Sequence, residues 1–398
     1  MAVSQMYEQF MNNVENGEHT CSVFLDLAKA FDSVDHNVLL SKLYSYGIRG
    51  NPYELLKNYL FNRTQYTMMN GCSSSLLPLC TGVPQGSVLG PLFFLLFIND
   101  LPTATNLKTT MFADDACLTL GNKSMSSLEE IINKELVNVT NWMEINKLSI
   151  NIDKTFYMII NKNISKQSQP INIRINNKNI QRVDKVKYLG VILDHKLNWE
   201  KHIKNVVTKL SKCMWAICKL KKYTNISTLK MAYFALAYPH IQYCITLWGG
   251  AAQKYINPLI IRQKRLVRIM LNKPFTSPSK PLFDNLNILT IEHIYKFQLG
   301  KLMYLFNNNL IKLPHTLISF QNLHNYNTRS KSKQNYLLPH VKSNVGVRSF
   351  SFAGPKLWNQ IPTQIKNCSN FLFKKNFQKL SSQSSEIPRS KLFRELIY

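Results

Sequence analysis

The chain has 398 residues, 45% of them hydrophobic and 18% charged, with a formal net charge of +27. That length buries a substantial core in two or three domains. The longest apolar run, residues 88–98, is too short for the ~20 residues of a membrane helix. The eight cysteines include no Cys-x-x-Cys pair, which argues against a zinc knuckle or a disulfide framework and for a reducing compartment.

The charge is unevenly spread. Residues 1–150 hold 9 Lys and Arg against 14 Asp and Glu, whereas residues 151–398 hold 40 against 8. An acidic front joined to a basic remainder fits a metal-dependent centre with a polyanion-binding surface. Compositional drift is the dull alternative, and it does not readily explain the thinning of acids after position 150.

Residues 1–19 carry Glu8, Glu15 and Glu18 and no basic leader, so no signal peptide is expected and the protein reads as soluble and intracellular. Val3, Met6, Tyr7, Phe10, Met11 and Val14 instead follow helical spacing. Val23-Phe24-Leu25 reads as a buried strand ending at Asp26, and Asp32 or Ser33 is expected to start the helix that follows. That helix carries Val38, Leu39, Leu40 and Leu43. Asp35 and His36 are expected to make local polar contacts. After Gly50-Asn51-Pro52 a second helix runs through Leu55, Leu56, Tyr59 and Leu60.

Gly82-Val83-Pro84-Gln85-Gly86-Ser87 forms a tight loop, with Ser87 placed to cap an apolar helix from Val88 and Pro91 in its first turn. Phe112-Ala113-Asp114-Asp115 then lies between two runs of strand composition, so the acids sit at a hairpin turn. On this evidence alone they are either an exposed turn or a divalent-metal site, since adjacent anions repel unless a cation neutralises them. With Asp26 they make three carboxylates on two strands, the oxygen ligands that two Mg²⁺ ions ~3.5–4 Å apart require for phosphoryl transfer.

An amphipathic helix is expected over 126–146, short strands near 150–160 and 186–193, and a helix over 199–223 with lysines around its apolar face. Alternating strands and helices make the first 195 residues α/β or α+β. The remainder is helix-rich, with a basic cluster over 262–268 and a looser tail containing Ser382, Ser384, Ser385 and Pro388.

Phe24-Leu-Asp-Leu-Ala-Lys-Ala-Phe-Asp32, Gly82-Val-Pro-Gln-Gly-Ser-Val-Leu-Gly-Pro91 and Phe112-Ala-Asp-Asp115 resemble motifs A, B and C of a reverse transcriptase. Leu148-Ser-Ile-Asn-Ile-Asp-Lys154-Thr and Lys187-Tyr-Leu-Gly-Val191 resemble motifs D and E, in the same order and spacing. Tyr59-Leu-Phe-Asn-Arg63-Thr-Gln65 and Ile98-Asn-Asp-Leu-Pro102 are worded like non-LTR retrotransposons of the jockey-like kind. The likeness is strong over about 20–225 and continues weakly to Tyr243-Cys-Ile-Thr-Leu-Trp-Gly249 and to residues 348–358, whose role it leaves open.

The resemblance implies an RNA-directed DNA polymerase with an α+β right-hand architecture. The expected parts are a palm of antiparallel sheet and flanking helices over 1–195, a helical thumb over 196–228, and a basic helix-rich domain over 229–398. Asp26 and Asp114 would be the principal metal ligands, with Asp115 completing the triad and Mn²⁺ a substitute for Mg²⁺. Lys154 would assist at the pyrophosphate. Phe31 would be the aromatic gate that rejects a ribose 2′-OH, and Gln85, Gly86 and Ala113 would contact the nucleotide, with Gly82 allowing close approach. Tyr188, Leu189 and Gly190 would grip the primer. Lys201, Lys204, Lys212, Lys219, Arg262, Lys264, Arg265 and Arg268 would follow the nucleic-acid backbone. The implied partners are an RNA template, a DNA primer or target and deoxynucleoside triphosphates, with no membrane, and residence in the nucleus.

The chain starts only about two dozen residues before Asp26, where complete relatives carry fingers, so an amino-truncated copy is expected. A nucleic-acid-binding remnant without polymerase activity is therefore the rival reading. A carboxylate-metal nuclease is disfavoured, because it has no use for Phe31 or for Tyr188-Leu189-Gly190.

Overall fold

The computed structural model describes residues 2–161, 171–312, 317–320 and 328–383; the expected loose tail falls largely outside them. The chain divides into two units, one of Gly17–Asp184 and one that joins Val3–Asn16 to Lys185–Tyr398. The architecture is mixed α+β.

Helix α1 (Ala2–Glu15) opens the chain, with Met6, Tyr7 and Phe10 fully buried as its spacing predicts. The unit of Gly17–Asp184 begins at strand β1 (His19–Leu25), followed by α2 (His36–Ser45), α3 (Gly50–Leu60) and α4 (Leu89–Ile98). Strands β2 (Lys108–Phe112) and β3 (Asp115–Asn122) form a hairpin, and α5 (Met125–Ile145) leads to β4 (Phe156–Ile160) and β5 (Gln181–Arg182). The sheet runs β5-β4-β1-β3-β2, with only the β4–β5 pair parallel. Strand β1 is central, so both of its faces are covered and six of its seven residues are buried. Cys21, Val23 and Leu25 join Leu39, Leu43, Phe93, Phe97, Leu128 and Leu136 in the core of this unit.

Local chemistry sets the helix boundaries. Asp35, not Asp32 or Ser33, caps α2: its carboxylate accepts from Asn37 N and Val38 N, both at 3.0 Å. Ser33 is occupied closing a turn by donating to Lys29 O. Burial pushes the Asp35 carboxyl up, but hydrogen bonds from Lys147 and Val38 N outweigh it and hold the group below its ordinary range. Helix α4 starts one residue later than expected, with Val88 in place of Ser87 at the cap position, and Ser87 Oγ accepts from Gly90 N at 2.9 Å. Ser124 caps α5 through Ser127 N. Buried Glu135 on α5 accepts from Thr105 Oγ1, Asn106 N and Asn106 Nδ2 at 2.7–2.9 Å, which anchors the chain entering β2.

In the other unit, β6 (Lys185–Tyr188) and β7 (Val191–Asp194) form a hairpin. Asp194 accepts from Trp199 N at 3.0 Å and turns the chain into α6 (Glu200–Leu220). Trp199 is buried against Tyr7 of α1, with ring centroids 5.1 Å apart and its indole N–H donated to the Tyr7 hydroxyl. Helices α7 (Gln253–Met270), α8 (Ile291–Asn307), α9 (Phe350–Asn359) and α10 (Asn370–Gln383) follow. Leu299, Met303, Trp358, Phe373 and Phe377 make a second core among α8, α9 and α10. Glu8 on α1 accepts from Phe350 N and Ser351 Oγ, both at 2.6 Å, and so supplies the cap of α9 from the far end of the chain. Among the described residues no helix is long and apolar enough to cross a membrane.

Candidate active site

The β2–β3 hairpin closes at the pair Phe112↔Asp115, which leaves Ala113 and Asp114 as its two turn residues, Ala113 with φ +53°. Strand β1 pairs with β3 up to Leu25↔Ala116, so the next register position sets Asp26 opposite Asp115. Asp26, Asp114 and Asp115 thus lie at the same end of the adjacent strands β1 and β3. Asp26 is half-buried; Asp114 and Asp115 are exposed. Partial burial and the negative charges of Asp114 and Asp26 push the Asp115 carboxyl above its ordinary range.

This oxygen-only donor set with mutual repulsion suits a hard divalent cation. As the side chains stand, no group of three or more His, Cys, Asp or Glu residues among the described residues converges to hold one.

The backbone of Asp26 is fixed on both sides. Its N–H is donated to Thr155 Oγ1 at 3.2 Å, and its carbonyl accepts from Asn151 N at 2.8 Å. Thr155 is buried, and its hydroxyl is donated in turn to Asn151 O. The sequence points to its neighbour Lys154, which is exposed at the end of a 3₁₀ turn. Thr155 itself escapes notice because its partner lies 129 residues away.

The loop expected at 82–87 is knitted to the segment after Asp26. Gly82 N donates to Val34 O, Val83 N donates to Phe31 O, and His36 Nε2 lies 2.8 Å from Gly82 O. Gly82 has φ +89°, and a Cβ there would press on the Asp32 backbone at 3.1 Å, so glycine answers both demands. Gln85 donates to Asp32 Oδ1 at 2.8 Å. Phe31 is half-buried and stacks on Phe94 at 4.7 Å, while Gly86, with φ +81°, is exposed.

In the second unit, Leu189 and Gly190 are the turn residues of the β6–β7 hairpin, with φ +45° and +81°, the pattern of a tight primed turn. Leucine pays a steric cost in that region. Tyr243 meets it by donating its hydroxyl to Leu189 O at 2.5 Å and packing its ring against Gly190. Tyr188 is buried. Tyr243 lies in the weakly resembling segment 243–249, the one sequence signal that could have drawn attention to it.

Lys201, Lys204, Lys212 and Lys219 are exposed on α6, with Lys204 paired to Glu200 at 2.6 Å and Lys219 over the exposed Trp215 ring. On α7, Arg265 is exposed and Arg262 and Lys264 are half-buried. Arg268 is committed locally, donating twice to Ser277 O.

Residues 3–193 match the family described as reverse transcriptase (RNA-dependent DNA polymerase). The chain is 28% identical over 287 residues to the RNA-directed DNA polymerase from the mobile element jockey of Drosophila melanogaster, an alignment covering 69% of this chain and 31% of that protein. It is 26% identical over 296 residues to the probable RNA-directed DNA polymerase from transposon X-element of the same organism, covering 72% and 32%. The chain therefore spans about a third of the length of the curated relatives it matches. Among solved structures, a telomerase from Candida albicans aligns with a TM-score of 0.41 and 12% identity over 72% of this chain and 54% of that one. Residues 3–193 are thus similar to the reverse transcriptase family, and the chain resembles RNA-directed DNA polymerases carried by jockey and related mobile elements.

Proposed function

We propose that the chain extends a DNA primer on an RNA template, adding deoxynucleotides at the centre formed by Asp26, Asp114 and Asp115. The observation that carries this reading is the register that sets Asp26 opposite Asp115, beside the Asp114 turn. Divalent cations held by these carboxylates, Mg²⁺ or Mn²⁺, would supply charge neutralisation for attack by the primer 3′ oxygen and for departure of pyrophosphate. Small rotations of the exposed Asp114 and Asp115 side chains would complete the ligand set.

The chain's own residues supply positioning, the main component of such catalysis. Phe31, braced by Phe94, is the gate under the sugar. Gln85, Gly86 and Ala113 line the nucleotide's place, with Gln85 oriented by Asp32. Lys154 stands ready to donate to the leaving phosphate. In this reading the five-stranded sheet is the palm, α6 the thumb, and Leu189-Gly190 the turn that steadies the primer end. The exposed lysines of α6 and the cations of α7 track the phosphate backbone, and the work takes place in the nucleus.

The test is extension of a DNA primer on an RNA template with Mg²⁺, comparing the wild type with Asp114→Asn. The expected result is extension by the wild type and a loss of ~10²–10³-fold or more in the variant, the scale of removing one transition-state charge stabiliser. Salt-sensitive RNA binding without extension by the wild type would instead identify a non-catalytic binding remnant.

A further inference from the structure

A cavity of about 260 Å³ lies wholly within the unit of Lys185–Tyr398. Its apolar walls include Ile256 of α7, Ile291 of α8, Val347 and Ala353, and the stretch 249–253 closes one side. Tyr295, Lys296 and Arg348 line it together with the amides Gln253 and Asn344, and Glu292 is the lone acid in the lining.

Among the described residues none of Tyr295, Lys296 and Arg348 makes a side-chain hydrogen bond or ion pair. Glu8, whose charge acts on Tyr295 alongside that of Arg348, is already occupied by Phe350 N and Ser351 Oγ. Burial presses Lys296 below its ordinary range, with Glu292 opposing. Burial pushes the Tyr295 hydroxyl up to about 12, so it is a proton donor at neutral pH. Two cations and a phenolic hydroxyl without a hydrogen-bond partner, beside apolar walls, leave donor capacity open to a ligand.

The chemistry selects the ligand. Guanidinium and ammonium only donate and the phenol can donate, so together they are complementary to a phosphate. The aliphatic walls and the Tyr295 ring suit a flat heterocycle. The volume lies just below the ~300–1,000 Å³ usual for small-molecule sites, which suits one nucleotide and not an extended cofactor. Gly249 and Arg348 also belong to the two segments, 243–249 and 348–358, that the sequence resemblance reaches without giving them a task.

We propose that this cavity binds a single nucleotide, its phosphate held by Arg348, Lys296 and the Tyr295 hydroxyl and its base against Ile256, Ile291 and Val347. The nucleotide is either a free mononucleotide or the 5′-phosphorylated end of an RNA strand. The inference goes beyond the polymerase reading and does not depend on it.

The test is calorimetric titration of the full chain in EDTA, which keeps metal-dependent nucleotide binding at the carboxylates silent. The probes are adenosine and uridine 5′-monophosphates, uridine, and an RNA tetranucleotide with either a 5′-phosphate or a 5′-hydroxyl. The expected result is saturable binding of a monophosphate, at least tenfold weaker binding of uridine, and a loss of about 10–100-fold in Arg348→Met, the scale of one charged hydrogen-bonding group. Lys296→Met, at a second position, should also weaken binding and decides the matter if Arg348→Met lowers the melting temperature. A tetranucleotide that binds better with its 5′-phosphate identifies a strand end as the ligand; a monophosphate that binds better than either tetranucleotide identifies the free form. Absence of monophosphate binding at millimolar concentration, or binding unchanged in a folded Arg348→Met or Lys296→Met protein, overturns the proposal.

Discussion

The buried Thr155 hydroxyl accepts the backbone N–H of Asp26 at 3.2 Å while donating to Asn151 O at 2.8 Å. One side chain thereby links the residue that opens the carboxylate cluster to the turn preceding β4.

Thr155→Val keeps the shape and removes the hydroxyl, leaving the Asp26 N–H unsatisfied at a cost of ~1–3 kcal/mol. The expected outcome is a roughly tenfold lower kcat in primer extension with little change in KM for the nucleotide. Thr155→Ser should restore most of it. Equal losses in the Val and Ser variants would show that the methyl packing, not the hydroxyl, matters.

Tyr243→Phe removes the donor to Leu189 O and leaves the left-handed turn without its brace. The expected cost is ~0.5–1.5 kcal/mol, a drop of a few degrees in melting temperature. In primer extension the apparent KM for primer should rise more than the KM for nucleotide; a melting shift with unchanged primer kinetics would confine Tyr243 to stability.

Buried His202 sits between Trp199 and Trp248, and its Nδ1 accepts from Ile192 N, so the ring is held neutral. Burial lowers its pKa from 6.5 to about 4. A depressed histidine pKa contributes stability that is complete above pH 6.5 and is lost as pH falls towards 4, up to about 3 kcal/mol. Denaturant titrations at pH 7.5 and pH 4.5 should show that loss in the wild type and a clearly smaller one in His202→Gln.

Glu135 is held below its ordinary range, first by hydrogen bonds from Asn106 and then by Thr105, against the opposing effect of burial. Its stabilising effect is present above the unfolded carboxyl pKa and is lost as pH falls through the folded one. Glu135→Gln should cost ~1–3 kcal/mol at neutral pH and nearly nothing in strong acid, where the wild type has lost the same charge. A variant equally destabilised at both extremes would assign the effect to packing.

Much of the site was legible because the clues are local. Strand composition on both flanks placed Asp114 and Asp115 at a hairpin end, and helical periodicity gave 126–146 against the observed Met125–Ile145. The choice of cap at α2 was not legible, since Asp32, Ser33 and Asp35 are all competent in type. The helix starts at His36, so only Asp35 stands where its carboxylate meets the free N–H groups of Asn37 and Val38. Thr155 and Tyr243 stayed hidden for another reason: each acts through a backbone group distant in sequence. The amphipathic stripe of α1 announced a helix but could not name Trp199 as its partner.

The capping of α9 by Glu8 has a consequence for the order of events on the ribosome. Helix α1 is made long before its partners: Trp199 emerges almost two hundred residues later and Phe350 more than three hundred. At ~5–20 residues per second the apolar side of α1 waits roughly 10–40 s for Trp199 and roughly 17–70 s for Phe350. Residues 17–184 have all of their own partners by then and can close first. Helix α1 is thus among the last elements to dock, and Met6, Tyr7 and Phe10 are the side chains a nascent-chain chaperone would meet.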